Sequence, residues 1–211
     1  MTVVVLAWFG SRLVVSFRRS LAAGARARSW ALVRGLRPRH FLPVPVVLAL
    51  VVLAALGLTG VPPLDFGWWT AIGGQGNPAF GVTERTAGTA FEIVVPIVFV
   101  LLLLPALPLL VEREELAFRL GAEAWSTPKR IAKALLFGLV HAVVGIPIGV
   151  ALALSIGGAA FTLAYLRTHR RTGSRRAALD ESSRLHLAYN LTIVGLVAVL
   201  LGVEVALSLG A

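Results

Sequence analysis

The sequence predicts an all-α, polytopic membrane protein with five to six transmembrane helices, and three observations carry that expectation. Apolar residues make up 57% of the 211-residue chain and charged residues only 14%, with a positive mean hydropathy, a balance outside that of soluble globular domains. Several apolar stretches run for about 20 residues, the length a helix needs to cross a hydrocarbon core about 30 Å thick. The net charge of +10 comes almost wholly from arginine, with Lys129 and Lys133 as the lysines, and it is bunched into particular loops. Bunching of this kind is a signal of topology, so the bilayer and not nucleic acid is the expected partner. The absence of cysteine excludes disulfides, zinc–thiolate sites and a thiol nucleophile, and leaves the compartment open.

Residues 2–17 are apolar but short and are broken by Arg12. They lack a basic region before them and a small-residue cleavage pattern after them, so they read as a short span or an interfacial helix, not as a cleaved signal peptide. Residues 18–40 carry Arg18, Arg19, Arg26, Arg28, Arg34, Arg37 and Arg39 around Trp30. They read as a cytoplasmic loop, with an amphipathic helix on anionic lipid as the alternative. Residues 41–60 form a clear span that stops at Gly60 and Pro62-Pro63.

A segment rich in Gly and aromatics follows (Phe66, Trp68, Trp69, Gly73, Gly74, Gly76, Pro78), with Asp65, Glu84 and Arg85 as its charges. It is placed outside, with its tryptophans at headgroup level. Residues 91–111 return inward through Pro96, Pro105 and Pro108, and the last two predict a kink or helix break. Pro128 opens a helix over about 129–144 that ends at Gly145-Ile146-Pro147. Residues 148–167 cross again, 168–184 form a second basic loop, and a last helix runs from about Asp180 to Ser208. Residues 1–90 thus form an N-terminal membrane region, and 91–211 a helical core. Every basic cluster falls on one side, with the C-terminus on the other.

Charge inside such a chain needs a reason, because an ionisable side chain among spans is costly unless it faces water, a partner or the bundle interior. Three stretches stand out: Glu112-Arg-Glu114-Glu115-Leu-Ala-Phe-Arg119, Phe137-Gly-Leu-Val-His141 and His186-Leu-Ala-Tyr-Asn190. Glu114 lies 12 residues before, and His141 12 residues after, the turn at Ser126 to Lys129, each roughly 18 Å from it. His186 comes within a turn or two of that height, and Phe137/His141 and His186/Asn190 each share a helix face. One difficulty is depth. If 91–111 already cross the membrane, Glu114 emerges near the cytoplasmic surface unless the prolines turn the chain early. Taken singly, the glutamates also read as a helix cap, His141 as a core histidine, and His186 with Asn190 as interhelical hydrogen-bonding groups.

In that order the three stretches resemble the CAAX-protease and bacteriocin-processing (ABI) family of intramembrane proteases, whose pattern is Glu-Glu-x-x-x-Arg, Phe-x-x-x-His, then His-x-x-x-Asn or Asp. The resemblance covers roughly residues 91–205. It departs after Arg119, where Leu120 precedes Gly121 in place of an immediate glycine. The resemblance implies an endopeptidase in which Glu114 activates water, His141 holds that water or shares its proton, and His186 and Asn190 donate to the oxyanion. Glu115, Arg119 and Phe137 would support them, with Arg119 orienting or neutralising Glu115. No cofactor is implied. Two alternatives stay open: a zinc site built from glutamate and two histidines, and a non-catalytic scaffold, immunity or regulatory protein that keeps the motifs to hold helices together. The expected partner is a membrane protein or peptide substrate, lipidated or not, with prenylated C-termini as the family's eukaryotic case. The expected location is a prokaryotic cell membrane, with the site opening toward the cytoplasm.

Overall fold

The computed structural model describes residues 2–71, 73, 74, 88, 89 and 91–210, and among them the chain is helical without strands. In order come α1 (Thr2–Ser20), α2 (Ala23–Arg34), α3 (Pro38–Phe41), α4 (Val44–Thr59), α5 (Trp68–Ala71), α6 (Phe91–Phe118), α7 (Thr127–Leu139), α8 (Ile148–Ala153), α9 (Ser155–Thr172) and α10 (Arg175–Gly210), with single 3-10 turns at Pro62–Leu64, Ala122–Ala124 and Val140–Val144. Among the described residues, four segments are long and apolar enough to cross a membrane: Pro38–Thr59, Phe91–Ala124, Ile148–Thr172 and Arg175–Val203. The other two segments counted from the sequence carry more charge. Arg12, Arg18 and Arg19 lie in α1, and α7 opens with Lys129, Arg130 and Lys133. The expectations that fall on Gly76, Pro78, Glu84 and Arg85 lie outside the described residues.

α9 packs between α7 and α10, α6 lies along α10, and α4 closes the far side against α8 and α9. Small residues set these distances, as membrane helices associate by close backbone approach. A β-carbon at Gly158 on α9 would fall 2.8 Å from the Phe137 ring, and one at Gly138 on α7 would overlap the Ala151 carbonyl. The basic 18–40 segment is no open loop: α2 lies against α6 with Ala25 and Leu32 buried, and Arg34 sits 4.8 Å over the exposed Trp30 ring.

The connections sort to two ends of the bundle. At one end Arg28 pairs with Glu112 at 3.3 Å, Arg39 with Glu181 at 3.2 Å, and Arg175 with Glu123, whose carboxylate also accepts from the Tyr165 hydroxyl at 2.9 Å. At the other, Ile148 N–H donates to the Phe66 carbonyl at 3.0 Å and Trp68 Nε1–H to Val143 at 3.1 Å. The arginine-bearing loops therefore gather at one end, and the described turns at the other carry no arginine.

Two sequence expectations are corrected. α6 runs as one helix through Pro96, Pro105 and Pro108, and the glutamate cluster is its last turns and not a new helix. Each proline removes one backbone hydrogen bond, but with no water to take the freed groups in an apolar run, continuing the helix leaves the fewest of them unpaired. The chain does not turn early, so Glu114 lies roughly 35 Å along the helix from Phe91, close to the charged end. Trp69, in α5, turns inward. It is 2% exposed, its indole filling the space where a β-carbon on Gly74 would otherwise lie.

Candidate functional site

Consecutive residues on a helix point about 100° apart, so Glu114 and Glu115 at the end of α6 face different surroundings. Glu115 points between α9 and α10 and is 0% exposed. One turn on, Arg119 lies on the same face and brings Nη1 to 3.0 Å from its Oε1. The guanidinium is itself buried, 4.0 Å from the Phe137 ring centroid and 5.4 Å from that of Phe161, so aromatic faces replace water around the cation. From α10, Ser182 donates to Glu115 Oε2, and its oxygen also lies 3.0 Å from the Phe161 carbonyl. A turn later His186 brings Nδ1 to 2.9 Å from Glu115 Oε1. The acceptor is a carboxylate, so Nδ1 carries the proton, a tautomer assigned from the hydrogen-bond network.

The His186 ring has little freedom. It stacks on Phe161 at 4.3 Å with planes 16° apart, and the Phe137 edge meets it at 5.4 Å. Its second nitrogen, Nε2, is thereby aimed at Glu114 Oε2, 3.6 Å away. That separation is beyond a direct hydrogen bond and suits a small polar molecule held against both groups. Glu114, unlike its neighbour, keeps 34% of its side chain exposed.

His141 falls not on a regular α-helix but in the 3-10 turn Val140–Val144 that follows α7. Its Nδ1–H donates to the Phe137 carbonyl at 2.8 Å, which leaves Nε2 as the outward nitrogen. Its height follows from the packing: Phe118 meets Phe137 edge to face at 5.6 Å on antiparallel helices. Glu114 precedes Phe118 by four residues and His141 follows Phe137 by four, so both are displaced about one turn in the same direction. Phe137 is the hub, with His141 at 5.2 Å and His186 at 5.4 Å from its ring. Asn190 lies one turn beyond His186 on the same face of α10, partly exposed, with no hydrogen bond among the described residues.

Glu114, Glu115, Arg119, Phe137 and His186 therefore meet directly; His141 joins through Phe137, and Asn190 through its register on α10. Two residues with a place here went unread in the sequence. Ser182 stands four before His186, extending the His186/Asn190 face by one more turn, a signal that was available. Phe161 sits in an apolar run and had none. Among the described residues no three His, Cys, Asp or Glu side chains are grouped so as to hold a metal ion. No family model, no curated protein and no solved structure matches this chain.

Proposed function

We propose that the chain is an intramembrane endopeptidase that hydrolyses a peptide bond of a membrane-associated protein or peptide, lipidated or not, with water activated by Glu114. The observation that carries this reading is the partly exposed Glu114 carboxylate facing Nε2 of a buried, oriented His186 across 3.6 Å. A general base needs access to water and a fixed neighbour, and the anchoring of His186 on Glu115 supplies the second. In the reaction, Glu114 takes a proton from a water whose oxygen adds to the scissile carbonyl carbon. The oxyanion so formed accepts hydrogen bonds, the proton passes to the amide nitrogen, and the C–N bond breaks to give a carboxylate and an amine. His141, through Nε2, would hold the attacking water. The geometry also refines the role that the family resemblance implies for His186. Its Nδ1 proton is engaged by Glu115, so Nε2 donates to an oxyanion only when it too is protonated, and Asn190, with no competing hydrogen bond, is the readier donor.

The likeness to the CAAX-protease family supports the same roles, and the position of the site near the arginine-rich end supports an opening toward the cytoplasm of a prokaryotic cell membrane under the positive-inside bias. The test is a comparison of membrane proteomes from cells lacking the protein, carrying it, or carrying Glu114→Gln. A cleavage product present with the wild type and missing from the other two is expected; identical products from Glu114→Gln and wild type would remove Glu114 from the chemistry.

A second reading, a non-catalytic scaffold, is favoured by the closure of the Glu115–Arg119–Ser182–His186 cluster, which ties α6 to α10 without help from a ligand. Full rescue of a deletion phenotype by Glu114→Gln would select it.

A further inference from the structure

Away from the glutamates, a cavity of about 350 Å³ opens at the charged end between α3, α9 and α10. Its polar wall is Arg39, His40, Arg167, Arg171 and Glu181, three arginines against one carboxylate. Glu181 is already engaged, by Arg39 at 3.2 Å and by the approach of His40 at 3.4 Å. Arg167 and Arg171, one turn apart on α9, have no ion-pair partner among the described residues. Like charges at that spacing repel, so the pair is held together at a cost that an anion between them would remove.

His40 supplies an independent sign. Its Nδ1 accepts the Arg37 backbone N–H at 2.9 Å, which leaves the proton on Nε2, and that buried donor makes no hydrogen bond although the residue is only 3% exposed. Its nearest acceptor, Glu181 Oε1 at 3.4 Å, is shared with Arg39 and falls outside hydrogen-bond geometry, so this buried donor keeps capacity for a better-placed acceptor in the cavity it lines. The location narrows the ligand further. The lining residues stand at the start of the Pro38–Thr59 span, the end of Ile148–Thr172 and the first turns of Arg175–Val203, so the mouth lies at membrane-surface height. Pro43 and Leu185 make an apolar wall beside the arginines, and Leu42, next to them in sequence, is exposed on the surface that meets lipid.

We infer that this cavity binds the phosphate headgroup of an anionic phospholipid, with the phosphodiester between Arg167 and Arg171, His40 Nε2–H as a further donor, and the acyl chains leaving past Leu185 into the bilayer. Basic pockets between spans at the membrane surface take anionic headgroups by this combination of charge and apolar exit. A free phosphate offers charge of the same sign but no chain to lie on the apolar wall.

The full-length protein is placed in nanodiscs of phosphatidylcholine alone, of phosphatidylcholine with phosphatidylglycerol, and of phosphatidylcholine with inorganic phosphate added. Thermal unfolding and retained lipid by native mass spectrometry are then measured. Phosphatidylglycerol is expected to raise the unfolding midpoint and to remain bound, while phosphate does neither. Arg167→Gln/Arg171→Gln should weaken phosphatidylglycerol retention roughly tenfold or more, whereas Arg170→Gln, on the same turn but outside the cavity, should not. Glu181→Gln, which removes the competing carboxylate, should tighten it. Equal losses for the double variant and Arg170→Gln, an unchanged affinity in the double variant, or an equal shift with inorganic phosphate would each overturn the inference.

Discussion

Glu114 and Glu115 are neighbours in the chain and opposites in the fold. One side of the site is closed: Glu115, Arg119, Ser182 and His186 are all buried, converge on the Glu115 carboxylate and are walled by Phe137 and Phe161. The other side is open: Glu114, His141 and Asn190 are partly exposed, and each keeps a polar atom that takes no hydrogen bond among the described residues. The closed side fixes where His186 points, and the open side is where a water and a peptide would meet. Rigidity and, on the proposed function, reactivity are thus divided between successive residues of one helix turn, and substitutions on the two sides should fail in different ways.

The largest effect on stability is expected from Arg119→Leu. It leaves the Glu115 carboxylate buried beside an apolar side chain, and breaking a buried ion pair by removing one partner costs about 3–5 kcal/mol. Thermal unfolding in a fixed lipid or detergent is the measurement. Glu115→Gln/Arg119→Leu, which removes both charges, should recover a good part of the loss; if it does not, the cost lies in lost packing around Phe137 and not in stranded charge. Next comes Ser182→Ala, which removes one of the donors to Glu115 and should cost about 1–3 kcal/mol while leaving the His186–Glu115 contact in place. A Ser182→Ala protein with unchanged unfolding would mean that the closed side is held by Arg119 and His186 alone.

This division between a closed and an open side was only half legible in the sequence. The pairing of Arg119 with Glu115 came from the family resemblance, and equal distances from the Ser126 turn put Glu114 and His141 at one level. The burial of Glu115 and the exposure of Glu114 were not readable, because they depend on which face of α6 meets α10. Ser182 and Phe161 meet Glu115 and His186 across long sequence separations, and no local pattern records such a contact. The continuity of α6 through three prolines was misread because the cost of proline is learned from helices whose freed carbonyls can turn to water. The burial of Trp69 was not readable either, because nothing in its immediate neighbours announces that Gly74 clears a place for it.

On the open side the expected stability effects are small and the losses are chemical. Glu114→Gln keeps the shape and removes the proposed base, so unfolding should move by no more than about 0.5 kcal/mol while turnover falls roughly 10²–10⁴-fold. Asn190→Ala should be the mildest on both counts. The side chain is partly exposed and makes no hydrogen bond among the described residues, so its loss strands no buried partner and stability should again hold within about 0.5 kcal/mol. If the amide donates to the oxyanion, kcat should fall about 10²–10³-fold with KM nearly unchanged, because the interaction exists only once the carbonyl oxygen carries charge. Asn190→Asp should be no better than alanine, since a carboxylate offers no N–H and repels the developing anion. A rise in KM with kcat preserved would instead make Asn190 a contact for the bound peptide, and leave a doubly protonated His186 as the donor that the open side must supply.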